Sequence, residues 1–102
     1  MFYHKEKLDD IEKTIKLGED AIKVLEERKR SLNSKISQKE YELMEILITG
    51  KEITDEELEE KENQHFTLVC KLMSTNFILE LAENLQEELK KRRYFIRAAS
   101  QN

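Results

Sequence analysis

Proline is absent from this chain, tryptophan is absent too, and its 102 residues include only two glycines and one cysteine. Without proline, nothing in the sequence forces a kink or a stop inside a helix. With two glycines, few places can adopt the left-handed backbone that sharp reversals need. A lone Cys70 cannot close an intramolecular disulfide, which excludes the disulfide-stapled secreted scaffolds. Because Cys70 lies in an apolar run, its thiol is expected to be buried and reduced, pointing to an intracellular and most simply cytoplasmic protein. The opening Met1-Phe2-Tyr3-His4-Lys5 holds no apolar stretch of signal-peptide length and no glycine at position 2 for myristoylation. No later run reaches the roughly 20 apolar residues of a membrane span, so no membrane partner is expected. The net charge of −4 excludes a chain that is basic overall. Bulk electrostatic attachment to nucleic acid goes with it, although local basic patches remain.

What is abundant is charge, at 39% of residues, beside 38% hydrophobic residues. That balance belongs to long solvent-exposed helices in a single domain, not to a compact enzyme core. Between Leu8 and Ile46, positions spaced alternately three and four apart hold Leu8, Ile11, Ile15, Gly18, Ile22, Leu25, Lys29, Leu32, Ile36, Lys39, Leu43 and Ile46. Nine of these twelve are apolar. A seven-residue repeat of this kind keeps one narrow stripe facing a partner helix along its whole length.

One segment punctuates the chain, Thr49-Gly50-Lys51-Glu52-Ile53-Thr54. Gly50 suits the left-handed position that ends a helix. Thr54 followed by Asp55, Glu56 and Glu57 reads as a capping box that starts another, with Ile53 and Leu58 as its hydrophobic staple. A stop and a start placed back to back predict a reversal: helix 1 over about 3–49, a turn at 50–54 and helix 2 over about 55–98. The fold expected is all-α, a long antiparallel, coiled-coil-like helical hairpin forming one domain. Its register pairs residue i with a residue near about 103 minus i. This sets Glu6, Asp9, Asp10 and Glu12 against the basic run Lys90 to Arg97, and Lys35 and Lys39 against Glu59, Glu60 and Glu62. The complementarity fixes orientation more than stability.

Helix 2 is apolar in nearly every direction between Phe66 and Leu85. A single partner helix covers one side only, so further burial is expected. Helix 1 adds a short second stripe at Leu17, Ala21 and Val24. Two hairpins pairing into a four-helix bundle would satisfy both, as would docking onto a helical partner chain. The expected association residues are Phe66, Val69, Leu72, Met73, Phe77, Ile78, Leu81 and Leu85.

Three other constellations carry possible chemistry. Glu62 and His65 stand three apart on one helical face, the spacing of bundle metal sites, with Glu40 or Glu42 as further ligands; opposing this are Lys39 beside them and the glutamate-rich background. No metal or other cofactor is therefore expected. Lys90, Lys91, Arg92, Arg93 and Arg97, interleaved with Tyr94, Phe95 and Ile96, suit phosphates and bases or an acidic partner, but they also suit the acids of helix 1 and a helix C-terminus. Tyr94, Phe95 and Ile96 are expected to meet Phe2, Tyr3 and Leu8. Arg28 and Arg30, flanking Lys29, face Ser74, Thr75 and Asn76 instead of acids, which makes them solvated side chains or, alternatively, a docking site for an acidic partner; Lys29 is expected to snorkel to water, with a polar layer shared with Asn76 as the alternative. No glycine-rich loop or nucleophile with an adjacent base occurs, so no enzyme is expected. The sequence points to a non-enzymatic interaction protein, with a nucleic-acid-associated regulator and a bundle metal protein as the alternatives.

Overall fold

The computed structural model describes the backbone of residues 2–101 and the side chains of residues 7–99. Two helices, α1 (Phe2–Thr49) and α2 (Asp55–Gln101), form an antiparallel helical hairpin. The reversal occurs where its chemistry dictates. Gly50 has a φ of 63°, the left-handed conformation that closes α1. The Thr54 hydroxyl then accepts from the Glu57 amide at 3.1 Å, and the Thr54 carbonyl accepts the first α2 bond from Leu58 at 3.0 Å. Three acids, Asp55, Glu56 and Glu57, occupy the first turn of α2, where the helix dipole favours them. The return bond from the Glu57 carboxylate to the Thr54 amide is not among the bonds of the described residues, so half of the capping box forms.

No atom lies within 4 Å of where a side chain on Gly50 would begin. Gly50→Ala therefore tests the backbone alone. It is expected to lower stability by about 1 kcal/mol, the cost of holding an L-residue in the left-handed region, read as an earlier midpoint in urea with an unchanged slope.

The hairpin divides into two compact units, one of Glu27–Phe77 at the turn and one of Met1–Glu26 with Ile78–Asn102 at the open end. In both, the α1 seam is as the heptads predict: every one of its twelve positions is buried or half-buried. The facing seam of α2 runs through Leu58, Lys61, His65, Leu68, Leu72, Thr75, Leu79, Ala82, Gln86, Leu89, Arg93 and Ile96, again with none exposed. Pairing follows the expected register: Glu42 meets Lys61 and Glu40 meets His65 in the turn unit, and Glu12 meets Arg93 in the open-end unit.

Among the described residues the buried core is small and mixes apolar with polar side chains. Leu32, Ile36 and Thr75 lie in the turn unit, and Ile15, Leu79 and Gln86 in the open-end unit. The Thr75 hydroxyl donates back to the Lys71 carbonyl at 2.8 Å, which makes a buried hydroxyl tolerable. Gln86 reaches across the seam and donates from Nε2 to the Ile15 carbonyl at 2.9 Å. It fits because its neighbour on α1 is Gly18, where even a methyl group would collide with the amide end of Gln86. Among the described residues no buried side-chain nitrogen or oxygen lacks a partner.

Two readings are corrected. Cys70 is exposed, because the α2 seam passes through Leu68 and Leu72 and turns Cys70 outward. The polar seam residue of the turn unit is Thr75, whereas Asn76 is exposed and does not complete a layer with Lys29. Lys29 itself is half-buried, as a lysine whose stem lies along the seam would be.

Candidate interaction site

Each unit has one side of the seam bordered by charge and another rich in exposed apolar side chains. In the turn unit, α2 exposes Phe66, Met73 and Phe77, with relative exposures of 67%, 65% and 62%. Their spacing of seven and four, with Cys70 between them, lays them along one stripe of the helix. Val69 borders it and is half-buried. On α1, Tyr41, Met44, Leu47 and Ile48 are also exposed.

The same unit has an open polar groove, lined by Lys35, Lys39 and Glu42 from α1 and by Glu59, Glu60 and Gln64 from α2. The expected meeting of Lys35 and Lys39 with Glu59 and Glu60 thus occurs as shared lining. The ion pairs formed are instead Lys39 and Lys61 on the single carboxylate of Glu42, at 3.5 and 3.7 Å. Partly exposed pairs of this kind contribute about 0.2–1 kcal/mol each.

His65 occupies a seam position, with Nε2 at 3.1 Å from Oε1 of Glu40. That contact engages one of the two α1 carboxylates expected as further ligands. Glu62 is exposed. Among the described residues, no three His, Cys, Asp or Glu side chains gather so as to hold a metal ion.

The basic residues divide into two groups. Arg93 and Arg97 converge on the Glu12 carboxylate at 3.4 and 2.6 Å, and Lys91 pairs with Glu88 at 3.7 Å. Among the described side chains the expected complementarity of the open end is therefore borne by Glu12, and Glu6 lies outside them. Arg28, Arg30, Lys90 and Arg92 are exposed and form no ion pair among the described residues. Tyr94 and Phe95 are exposed and stack edge to face on each other with ring centres 5.7 Å apart. Ile96 and Leu8 are half-buried, and the expected contacts to Phe2 and Tyr3 lie outside the described side chains.

The open-end unit holds the more ordered surface. One groove beside its seam is lined by Lys7, Asp10, Ile11 and Thr14 of α1 and by Arg92, Phe95 and Ile96 of α2, which fixes the side of the hairpin these residues share. Continuing along α1 in steps of three and four, Lys7, Asp10 and Thr14 lead to Leu17, Ala21 and Val24. Continuing back along α2 in the same steps, Phe95 and Arg92 lead to Glu88, Leu85, Leu81 and Ile78. The groove on the other side of this seam is charged, with Glu19, Lys23, Glu26, Glu83, Glu87 and Lys90. Leu17, Val24, Ile78, Leu81 and Leu85 are all at least half exposed.

The eight association residues expected from sequence are divided between the two units. Leu72 belongs to the seam. Phe66, Val69, Met73 and Phe77 lie on the turn unit, while Ile78, Leu81 and Leu85 join Leu17, Ala21 and Val24 on the open-end unit. Ile78, Leu81 and Leu85 were among the association residues expected from sequence; that they share a side of the hairpin with Leu17, Ala21 and Val24 follows only from the groove that orients the two helices. No described helix is long and apolar enough to cross a membrane. Comparisons with known protein families, with characterised proteins and with solved structures found no match.

Proposed function

We propose that this chain is a non-enzymatic protein–protein interaction module, a scaffold subunit, adaptor or small regulator that works inside the cell by self-association of its hairpins. The observation that carries the reading is the set of large apolar side chains left outside both seams: Phe66, Met73 and Phe77 on one unit, and Leu17, Val24, Ile78, Leu81 and Leu85 on the other. Scattered exposed leucines are ordinary on a protein surface, but apolar residues repeated in register along a helix face mark a contact. A thin two-helix domain also buries few residues by itself and gains stability by mass action when it associates.

Native mass spectrometry of the purified chain tests the reading. The expected result is a dimer or tetramer, converted to monomer or to aggregate by Ile78→Glu, which sets a charge in an apolar contact. A wild-type chain that stays monomeric at every accessible concentration overturns it, as does an oligomer whose mass is unchanged by charges on both apolar surfaces.

A further inference from the structure

We infer that a second copy of this chain docks on the open-end unit through the face bearing Leu17, Val24, Leu81 and Asp10, related to the first by a two-fold axis running along the helices. The inference rests on the self-association proposed above and specifies its surface and geometry.

The argument is self-complementarity. A two-fold interface between identical chains must bring a surface against itself, so each residue needs its own partner within the same face. Four layers of the two strips satisfy that condition, those of Asp10, Leu17, Ala21 and Val24. Leu17 stands level with Leu85 and Val24 with Ile78, apolar against apolar; further along, Asp10 stands level with Arg92, acid against base. An axis along the helices lays α1 of one copy over α2 of the other and preserves these matches. The other two-fold arrangement, with α1 over α1, takes Asp10 of one copy away from Arg92 of the other and so forfeits that match. Within the chain itself, neither Asp10 nor Arg92 forms an ion pair with a described residue, although both line the same groove. In the docked pair every α1 has an antiparallel α2 on two sides, the arrangement of an up-and-down four-helix bundle.

The test is a charge exchange between copies, read by native mass spectrometry and sedimentation across a dilution series with one chain isotopically labelled. Asp10→Arg and Arg92→Asp are each expected to weaken the homodimer on the order of tenfold, because each places like charges together at two symmetric positions. Mixing the two variants is expected to restore wild-type affinity in the mixed dimer, where both positions again hold opposite charges. Rescue by mixing cannot arise inside one chain, since each variant keeps its like charges at its own groove. Both residues are on the surface, so the variants are expected to fold, with helical content checked by circular dichroism. Homodimers unaffected by either substitution, or variants that fail to rescue each other, overturn this geometry while leaving self-association through Phe66, Met73 and Phe77 in place. A wild-type chain that never dimerises overturns both.

Discussion

Leu79→Ala is expected to lower the free energy of unfolding by about 2–4 kcal/mol and the melting temperature by roughly 10 °C or more, measured at a dilution where the chain is monomeric. Leu79 is 8% exposed and occupies the α2 seam, so truncating it removes buried methyl groups and leaves a gap in a core with few other members. Neighbouring side chains have limited room to close the gap because only two helices border it. The control lies two residues away. Leu81 is 54% exposed, and Leu81→Ala is expected to change monomer stability by less than about 1 kcal/mol while weakening assembly. Equal losses at the two positions would mean that the α2 seam is misplaced. The comparison thus separates what holds the hairpin together from what the hairpin presents.

Gly18→Ala is expected to reverse its sign with the residue opposite it. In a helix interior, alanine is favoured over glycine by about 1 kcal/mol. Here the added methyl meets the side chain of Gln86, whose Cδ would lie only 2.7 Å away, and it displaces an amide that now donates to the Ile15 carbonyl. An evicted buried amide costs about 1–3 kcal/mol, which exceeds the helical gain, so the single substitution is expected to destabilise by about 1 kcal/mol. In a Gln86→Ala background the collision is gone, and Gly18→Ala is expected to stabilise by about 0.5–1 kcal/mol. A double-mutant cycle in urea reads this coupling directly. Additive effects would show that Gln86 does not require the gap at Gly18.

How much of this was legible in the sequence differs between the two helices. On α1, three apolar residues in every four seam positions left one stripe to choose, and all twelve positions proved unexposed. The turn was equally legible, because a left-handed Gly50 and a hydroxyl cap at Thr54 act through bonds to residues a few positions away. On α2, Lys61, His65, Thr75, Gln86 and Arg93 take seam positions, while Phe66, Met73 and Phe77 lie outside them. Hydrophobicity alone therefore did not separate the residues that pack against α1 from those left outside the seam, Cys70 among the latter.

The sequence by itself determined the helices, the reversal, the register and the stripe that α1 offers, since each depends on spacing, capping and charge order along the chain. Only the tertiary structure decided which stripe of α2 answers it. A helix apolar in nearly every direction offers more than one face to a partner, and α1 selects by shape and hydrogen bonding: Gly18 opens the space that Gln86 fills, and Glu40 and Glu12 take His65 and Arg93. Choosing those polar residues for the seam is what turns Leu81, Leu85 and Phe77 outward, and so creates the surfaces from which function is proposed.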